Sequence, residues 1–371
     1  MAAAEEDLVP LLKPRTFGAE MTIDDSSAIP EAIRDVEQLD RLLSTPTEGV
    51  IDTFSRLEGD LIILGVAGKM GPTLAWMARR AFDASGRRDR RVLGVARFTD
   101  PESESWLRDR GVETIRCNLL EPEALERLPE VPNVVSMFAM KFGSTGQESQ
   151  TWALNSFLPG LVARQFRRSR IVAFSTGNVY GLVPVSHGGS TESDPLRPAG
   201  EYAMSCLGRE RILEHFSRTL GIPMVLVRLN YAVEMRYGVL VDLARNVLAG
   251  RPIDLAMGYF NVIWQADANA IALRAFDHAA TPPTVLNVTG PETLGVRHVA
   301  ERFGERFGLS LNFRGTEAPD ALLSDATLCR RLFGPPRLGA GQLIDLTAAW
   351  LKDGGQTLEK PTHFEARDGR F

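Results

Sequence analysis

The short apolar run Leu61-Ile62-Ile63-Leu64 opens directly into Gly65-Val66-Ala67-Gly68-Lys69-Met70-Gly71, and a helical pattern follows from Pro72 to Phe82. Strand, glycine turn and helix in that order leave few folds open. The glycines allow a tight turn and let backbone come close to a ligand, while the helix start offers unsatisfied N–H groups and a favourable dipole. A pyrophosphate fits such a place, so Gly65, Gly68, Lys69, Met70 and Gly71 are candidate nucleotide contacts.

The pattern then repeats. Arg91–Ala96, Thr114–Cys117, Asn133–Phe138, Ile171–Phe174 and Met224–Arg228 read as further strands, with helical stretches between them. Apolar strands alternating with helices predict an α/β fold, a doubly wound parallel sheet covered on both faces. After Arg228 the pattern becomes irregular, which predicts a smaller C-terminal lobe over the carboxyl ends of the strands, where ligands bind in such sheets. We expect an N-terminal helical extension over 1–58, a nucleotide-binding domain over 59–230, and a substrate lobe over 231–371 that returns to the sheet near 260–290. In the extension, Glu31–Leu43 has apolar residues at helical spacing and Thr47–Leu57 reads as a second short helix.

The second strand ends in Ala96-Arg97-Phe98. An acidic residue there holds the ribose hydroxyls of NAD, whereas an arginine suits the 2′-phosphate of NADP. Arg97 therefore favours NADP over NAD, with Lys69 as a second positive charge and Asp100 as the alternative ribose contact. Asn118, after the third strand, is a candidate for the adenine edge.

Several motifs fall in a fixed order along the rest of the chain. Ser136-Met137-Phe138-Ala139 closes the fourth strand. Asn155 sits in Trp152-Ala-Leu-Asn155. Phe174-Ser175-Thr176-Gly177-Asn178-Val179-Tyr180-Gly181 runs from strand into loop, and Thr191-Glu192-Ser193-Asp194-Pro195 precedes Tyr202. Arg228-Leu229-Asn230 and Ile263-Trp264-Gln265-Ala266-Asp267 follow. On these motifs the chain, over about residues 60 to 350, resembles an extended short-chain dehydrogenase/reductase of the NAD-dependent epimerase/dehydratase family. The resemblance implies a Rossmann-type fold, an NAD(P) cofactor with Phe138 and Ala139 against it, a sugar-like small-molecule substrate, and a homodimer formed through the helices that hold Asn155 and Tyr202. It further implies Tyr202 as acid/base, with Thr176, or its neighbour Ser175, polarising the substrate oxygen. Asn178, Asn230 and Arg236 are the candidate substrate contacts, with Tyr231 or Tyr237 as stacking surfaces.

One position departs from the family. Four residues after the tyrosine, where the family carries lysine, the chain has Cys206. A thiol supplies no cation to lower the phenol pKa, and a thiolate opposes ionisation of Tyr202. Three readings stay open. Another cation substitutes, with Lys141 the candidate, since UDP-galactose epimerases carry a lysine after the same strand. Alternatively, the reaction needs only a neutral tyrosine, or the chain binds a dinucleotide without turnover as a sensor or scaffold. Cys206 as nucleophile has no histidine near it in sequence, and His187 reads as a surface loop residue.

Composition narrows the alternatives. A net charge of −5 offers nucleic acid no basic surface, and no apolar run has the length of a membrane span. Cys117, Cys206 and Cys329 are too scattered for a disulfide framework or a metal site. A cytoplasmic location is expected.

Overall fold

The structure, a computed structural model, describes residues 29–141 and 143–370; the expectation for residues 1–28 lies outside the described residues. From Glu31 onward the chain forms one compact unit. Seven parallel strands make its sheet: β1 (Leu61–Leu64), β2 (Val92–Ala96), β3 (Glu113–Arg116), β4 (Asn133–Ser136), β5 (Arg170–Thr176), β6 (Met224–Leu229) and β7 (Thr284–Val288). Their spatial order is β7-β6-β5-β4-β1-β2-β3. This is the doubly wound arrangement read from the strand–helix alternation, with β7 supplied by the segment expected to return to the sheet.

Order reverses between β1 and β4, which pair in register from Leu61↔Asn133 to Leu64↔Ser136. Connections leave these two strands towards opposite faces, so a crevice opens beyond their carboxyl ends. Strands β1, β2, β4, β5 and β6 are buried while the edge strand β3 is partly exposed, and the core running through Ile62, Leu64, Val134, Ile171 and Leu226 packs the sheet against the helices.

The extension contributes α1 (Val36–Leu43) and α2 (Glu48–Arg56), each started by a side-chain cap: Asp35 accepts from the Gln38 N–H and Thr47 from the Val50 N–H. The cap at Asp35 explains why α1 begins after the expected Glu31. Helix α3 (Gly71–Ala84) follows the glycine loop, α4 (Pro101–Arg108) and α5 (Pro122–Glu126) flank β3, and α6 (Glu148–Trp152) passes through a π turn, Ala153–Phe157, into α7 (Leu158–Gln165). The tyrosine helix, α8, spans Gly200–Leu220. Helix α9 (Val239–Leu248) and α10 (Gln265–Arg274) belong to the later segments.

A C-terminal segment crosses back over the strand ends. The Leu358 N–H donates to the Arg236 carbonyl at 3.0 Å, and Thr362 donates to Asp242 Oδ2 through both its N–H, at 2.7 Å, and its hydroxyl, at 2.6 Å. Phe364 packs edge-on against Phe260, and Arg367 pairs with Asp320 at 2.5 Å. No periodic signal in the sequence announces this crossing. Among the described residues, no helix is long and apolar enough to cross a membrane.

Candidate active site

Two hollows share Gly68, Met137 and Ala139 and so form one cleft at the β1/β4 crevice. The first, about 300 Å³, is lined by Gly65, Ala67, Arg97, Asn118 and Phe138 among others. The second, about 350 Å³, holds Lys69, Met70, Lys141, Ser175, Thr176, Asn178, Tyr202, Asn230, Tyr231, Tyr237 and Thr362 in its wall.

The glycine loop fits a dinucleotide on two counts. A Cβ at Gly71 would strike the Val66 carbonyl, so this glycine is required by the turn itself. A Cβ at Gly68 would meet nothing nearer than the Gly65 carbonyl at 3.5 Å, so the middle glycine faces open cleft. In addition, Met70 caps α3 without a side-chain bond, which leaves the helix start to a ligand. A pyrophosphate there would place an adenosine in the first hollow and a nicotinamide in the second. Arg97 is exposed at the end of β2 and lines the first hollow. Asn118 is committed locally: its amide donates to Glu121 Oε1 at 3.0 Å. Asp100 caps α4 by accepting from the Glu102 N–H at 3.0 Å.

Tyr202 lies on the first turn of α8, and Thr176 ends β5. Their hydroxyls hydrogen-bond to each other, and Tyr202 also reaches the Cys206 thiol one turn along the helix. Thr176 is oriented by Asn178, donating to its Oδ1 at 2.9 Å and accepting from its N–H at 3.2 Å. Cys206 is fully buried with Val179, Tyr180 and Tyr202 around it. Burial, together with the thiol, pushes the Tyr202 pKa well above the usual phenol value, and Arg209 opposes this only in part. Burial likewise raises the Cys206 thiol. Both groups are therefore neutral at pH 7.

Lys141 comes to the same place from the loop after β4. Its ammonium lies 5.9 Å from the Tyr202 ring centroid and 5.8 Å from that of Tyr231. Burial lowers its pKa to about 8. The loop is held by Asn155 in the π turn, whose side chain accepts from the Met140 N–H at 2.9 Å and donates to the Met140 carbonyl at 3.0 Å. Asn155 is held in turn by Arg209, which donates from Nε to its backbone carbonyl at 3.1 Å and from Nη1 to the Phe174 carbonyl at 2.6 Å. Arg209, seven residues after Tyr202, is thus buried on the tyrosine side of α8 and acts on both Tyr202 and Cys206. In sequence Arg209 and Arg211, seven and nine residues after Tyr202, are not both on the tyrosine face, and it is Arg209, two helical turns on, that the fold turns inward.

The other candidates divide. Asn178 and Asn230 line the cleft, and Asn230 donates to Asn261 Oδ1 at 2.7 Å. Ser175 touches the cleft, but its hydroxyl donates to Glu210 Oε1 at 2.5 Å, inside a buried network where Glu210 and Arg228 pair at 2.7 Å. Between the two hydroxyls, only Thr176 is turned to Tyr202. Arg236 corrects the expectation most plainly. It lies outside the cleft lining, paired with Asp40 of α1 at 2.9 Å and with Glu234 at 3.0 Å. Two carboxylates from different segments take up its guanidinium, so it joins the extension to the lobe instead of facing a substrate. His187 is exposed and also outside the lining.

Comparison with known proteins agrees with the geometry. The family model described as NAD dependent epimerase/dehydratase family matches residues 61–261. No curated protein sequence matches the chain. Among solved structures, UDP-glucose 4-epimerase from Thermotoga maritima with UDP-glucose superposes with a TM-score of 0.65 at 16% identity, covering 80% of this chain and 99% of that one. The dTDP-glucose 4,6-dehydratase of Streptomyces venezuelae with NAD and TYD bound gives 0.65 at 18% identity, over 79% and 97%. The corresponding dehydratase of Bacillus anthracis, in complex with NAD, gives 0.66 at 16% identity, over 80% and 97%. At these identities the neighbours speak for the fold alone. The glycine loop at a β1/β4 crevice, the Thr176–Tyr202 pair beside it and a family match spanning more than half the chain lead to one assignment: the chain belongs to the NAD-dependent epimerase/dehydratase family.

Proposed function

We propose that the protein is an NAD(P)-dependent oxidoreductase or epimerase/dehydratase acting on a carbohydrate-like hydroxyl or carbonyl compound. The observation that carries this reading is the hydrogen-bonded Thr176–Tyr202 pair in the half of the cleft that continues from the glycine loop. A bound nicotinamide supplies hydride exchange at a substrate carbon. Tyr202, neutral at pH 7, serves as the proton donor to the substrate oxygen, and Thr176 polarises that oxygen. Lys141 takes the part of the missing lysine. Its ammonium stabilises the phenolate left by proton transfer, and Asn155 and Arg209 position it. The substrate contacts are Asn178 and Asn230. Arg97 supports NADP as the preferred cofactor over NAD, through the 2′-phosphate. The exposed Trp152, Phe157 and Met204 on the α6–α8 face support pairing of two copies through these helices.

A second reading rests on Cys206. A fully buried thiol where the family has lysine, beside a tyrosine whose ionisation burial opposes, also suits a protein that binds the dinucleotide without turning it over. Calorimetric titration with NADPH and NADH, followed by single-turnover assays on sugars and sugar acids, separates the readings. Binding with hydride transfer that Tyr202→Phe abolishes supports the enzyme. Binding without transfer, gained in Cys206→Lys, supports the sensor. Absence of binding to either cofactor ends both.

A further inference from the structure

This inference rests on the reading of the second hollow as the substrate site, and it concerns how large a substrate that site admits. The C-terminal crossing, residues 358–370, is fastened on two sides of the hollow. On one side the Leu358 N–H donates to the Arg236 carbonyl, the Glu359 carboxylate pairs with Arg245 at 2.6 Å, and Thr362 donates twice to Asp242 of α9. Further along, Phe364 is buried against Phe260, and the Arg367 guanidinium holds the Asp320 carboxylate together with the Ala256 carbonyl, the latter at 3.1 Å. On the other side the segment meets the start of α8. A Cβ on Gly369 would strike the Ala199 carbonyl, and a Cβ on Gly200 would strike the Gly369 carbonyl. Backbone thus lies on backbone just before Tyr202.

A segment fastened at both ends and between them is a wall. Thr362 lines the hollow together with Tyr202, Tyr231 and Tyr237. Glu365 is close enough to act on Tyr231, Lys141 and Asp242, so the crossing stays beside the hollow over this stretch. Tyr202 and Thr176 are 7% and 6% exposed, which places their hydroxyls deep within the covered space. The hollow measures about 350 Å³, and it has to receive the nicotinamide end of a cofactor as well as the substrate. Clefts that take drug-sized ligands run from about 300 to 1,000 Å³. A shared hollow at the low end of that range leaves room for one sugar ring and small substituents.

We propose that residues 358–370 form the outer wall of the substrate half and limit it to a monosaccharide-sized compound that carries no nucleotide. The crossing is the specificity determinant, with Thr362 as its lining residue. A single sugar fits beneath it with every fastening in place. A sugar joined to a nucleotide has to lift the crossing from α8 or from α9. It then gives up the backbone packing at Gly369 or the two bonds at Asp242, and that loss is subtracted from its binding.

Glucose, glucose 1-phosphate and UDP-glucose share one hexose and differ only in the group at C1. The test is calorimetric titration of the full chain with all three, cofactor-free and loaded with NADPH or NADH. We expect glucose or glucose 1-phosphate to bind at least about tenfold more tightly than UDP-glucose. Gly369→Val, whose side chain collides with Ala199, lifts the crossing from α8 and should bring UDP-glucose to within about threefold of the smaller ligands. Arg367→Met loosens the same segment from outside the cleft lining and should move the ratio in the same direction. Amide hydrogen exchange on both variants reports that residues 358–370 are loosened while the sheet stays protected. UDP-glucose binding to the wild type as tightly as the smaller sugars overturns the proposal. So does a wild-type preference that survives in both loosened variants, and so does absence of binding by all three ligands. Dinucleotide titration of the same samples reports separately on the oxidoreductase reading. NADPH or NADH bound without size discrimination sinks this inference alone, whereas size discrimination without any dinucleotide bound sinks that reading and leaves this one standing.

Discussion

The two hollows of the cleft are made from different materials. Around Gly65–Gly71 the wall is backbone: a turn that excludes a Cβ at Gly71, an open face at Gly68, a helix start without a side-chain cap. Around Tyr202 the wall is side chains, brought by β5, α8, the loop after β4, the segment 230–239 and the C-terminal crossing. A backbone site needs only local order to form. A side-chain site needs five segments to arrive together, and its chemistry depends on how they bury and charge one another. Tyr202, Cys206, Lys141 and Lys69 all have shifted pKa values, and burial is the first cause in each case.

That contrast can be broken by experiment. The largest effect is expected at Tyr202: Tyr202→Phe should lower single-turnover hydride transfer by roughly 10³-fold while leaving dinucleotide affinity nearly unchanged. Equal loss of both would mean the two hollows are not separable. Next is the buried pair behind Thr176. Arg228→Met leaves Glu210 uncompensated among Ser175 and Tyr180, and denaturant melts should show a loss of about 3–5 kcal/mol. The glycines sharpen the comparison within one loop. Gly71→Ala should weaken both the fold, by about 1–3 kcal/mol, and cofactor binding. Gly68→Ala should weaken cofactor binding with a melting temperature close to wild type, and a matching drop in both variants would remove the distinction drawn here.

Smaller effects concern pH. If protonated Lys141 supports transfer, the rate falls as pH rises through about 8, and Lys141→Met is slow and lacks that limb. A pH–rate profile on both proteins decides it. In the cofactor-free protein Lys69 and Lys141 have folded pKa values below the ordinary lysine value of about 10.4. The unfolded chain then binds more protons, so these two groups make stability rise as pH climbs from about 7 towards the unfolded lysine value of about 10.4. Lys69→Met should flatten that rise in urea melts. Above about pH 9 the raised thiol of Cys206 works in the opposite direction, because the unfolded cysteine ionises first.

Legibility followed the same divide. The sheet, the glycine loop and the expected helices of the extension were readable because apolar periodicity, glycine turns and caps are local. The places of Tyr202 and Thr176 were readable through motif order. What failed was partnership at a distance. Nothing near Arg236 in sequence shows that Asp40 will claim it, and nothing near Ser175 shows Glu210. Lys69 was read as a loop charge near the ribose phosphate because the sequence does not say which way its side chain leaves the turn. Thr362 sits in a stretch without periodicity, so the crossing that brings it to the cleft left no trace to read.

The π turn at Ala153–Phe157 has a consequence of its own. It holds one more residue per turn than the α-helix on either side, and this sets the two flanks out of phase by about 100°. Asn155 faces Met140 and Ser205 only because of that phase, and its carbonyl can accept from Arg209. Deleting a single residue from Ala153–Phe157 would restore a regular helix and swing Asn155 away from the loop that carries Lys141. A one-residue gap there would release the hold of Asn155 on Met140 and so the loop that carries Lys141. An ungapped comparison with a relative lacking the turn would likewise pair Asn155 with the wrong residue.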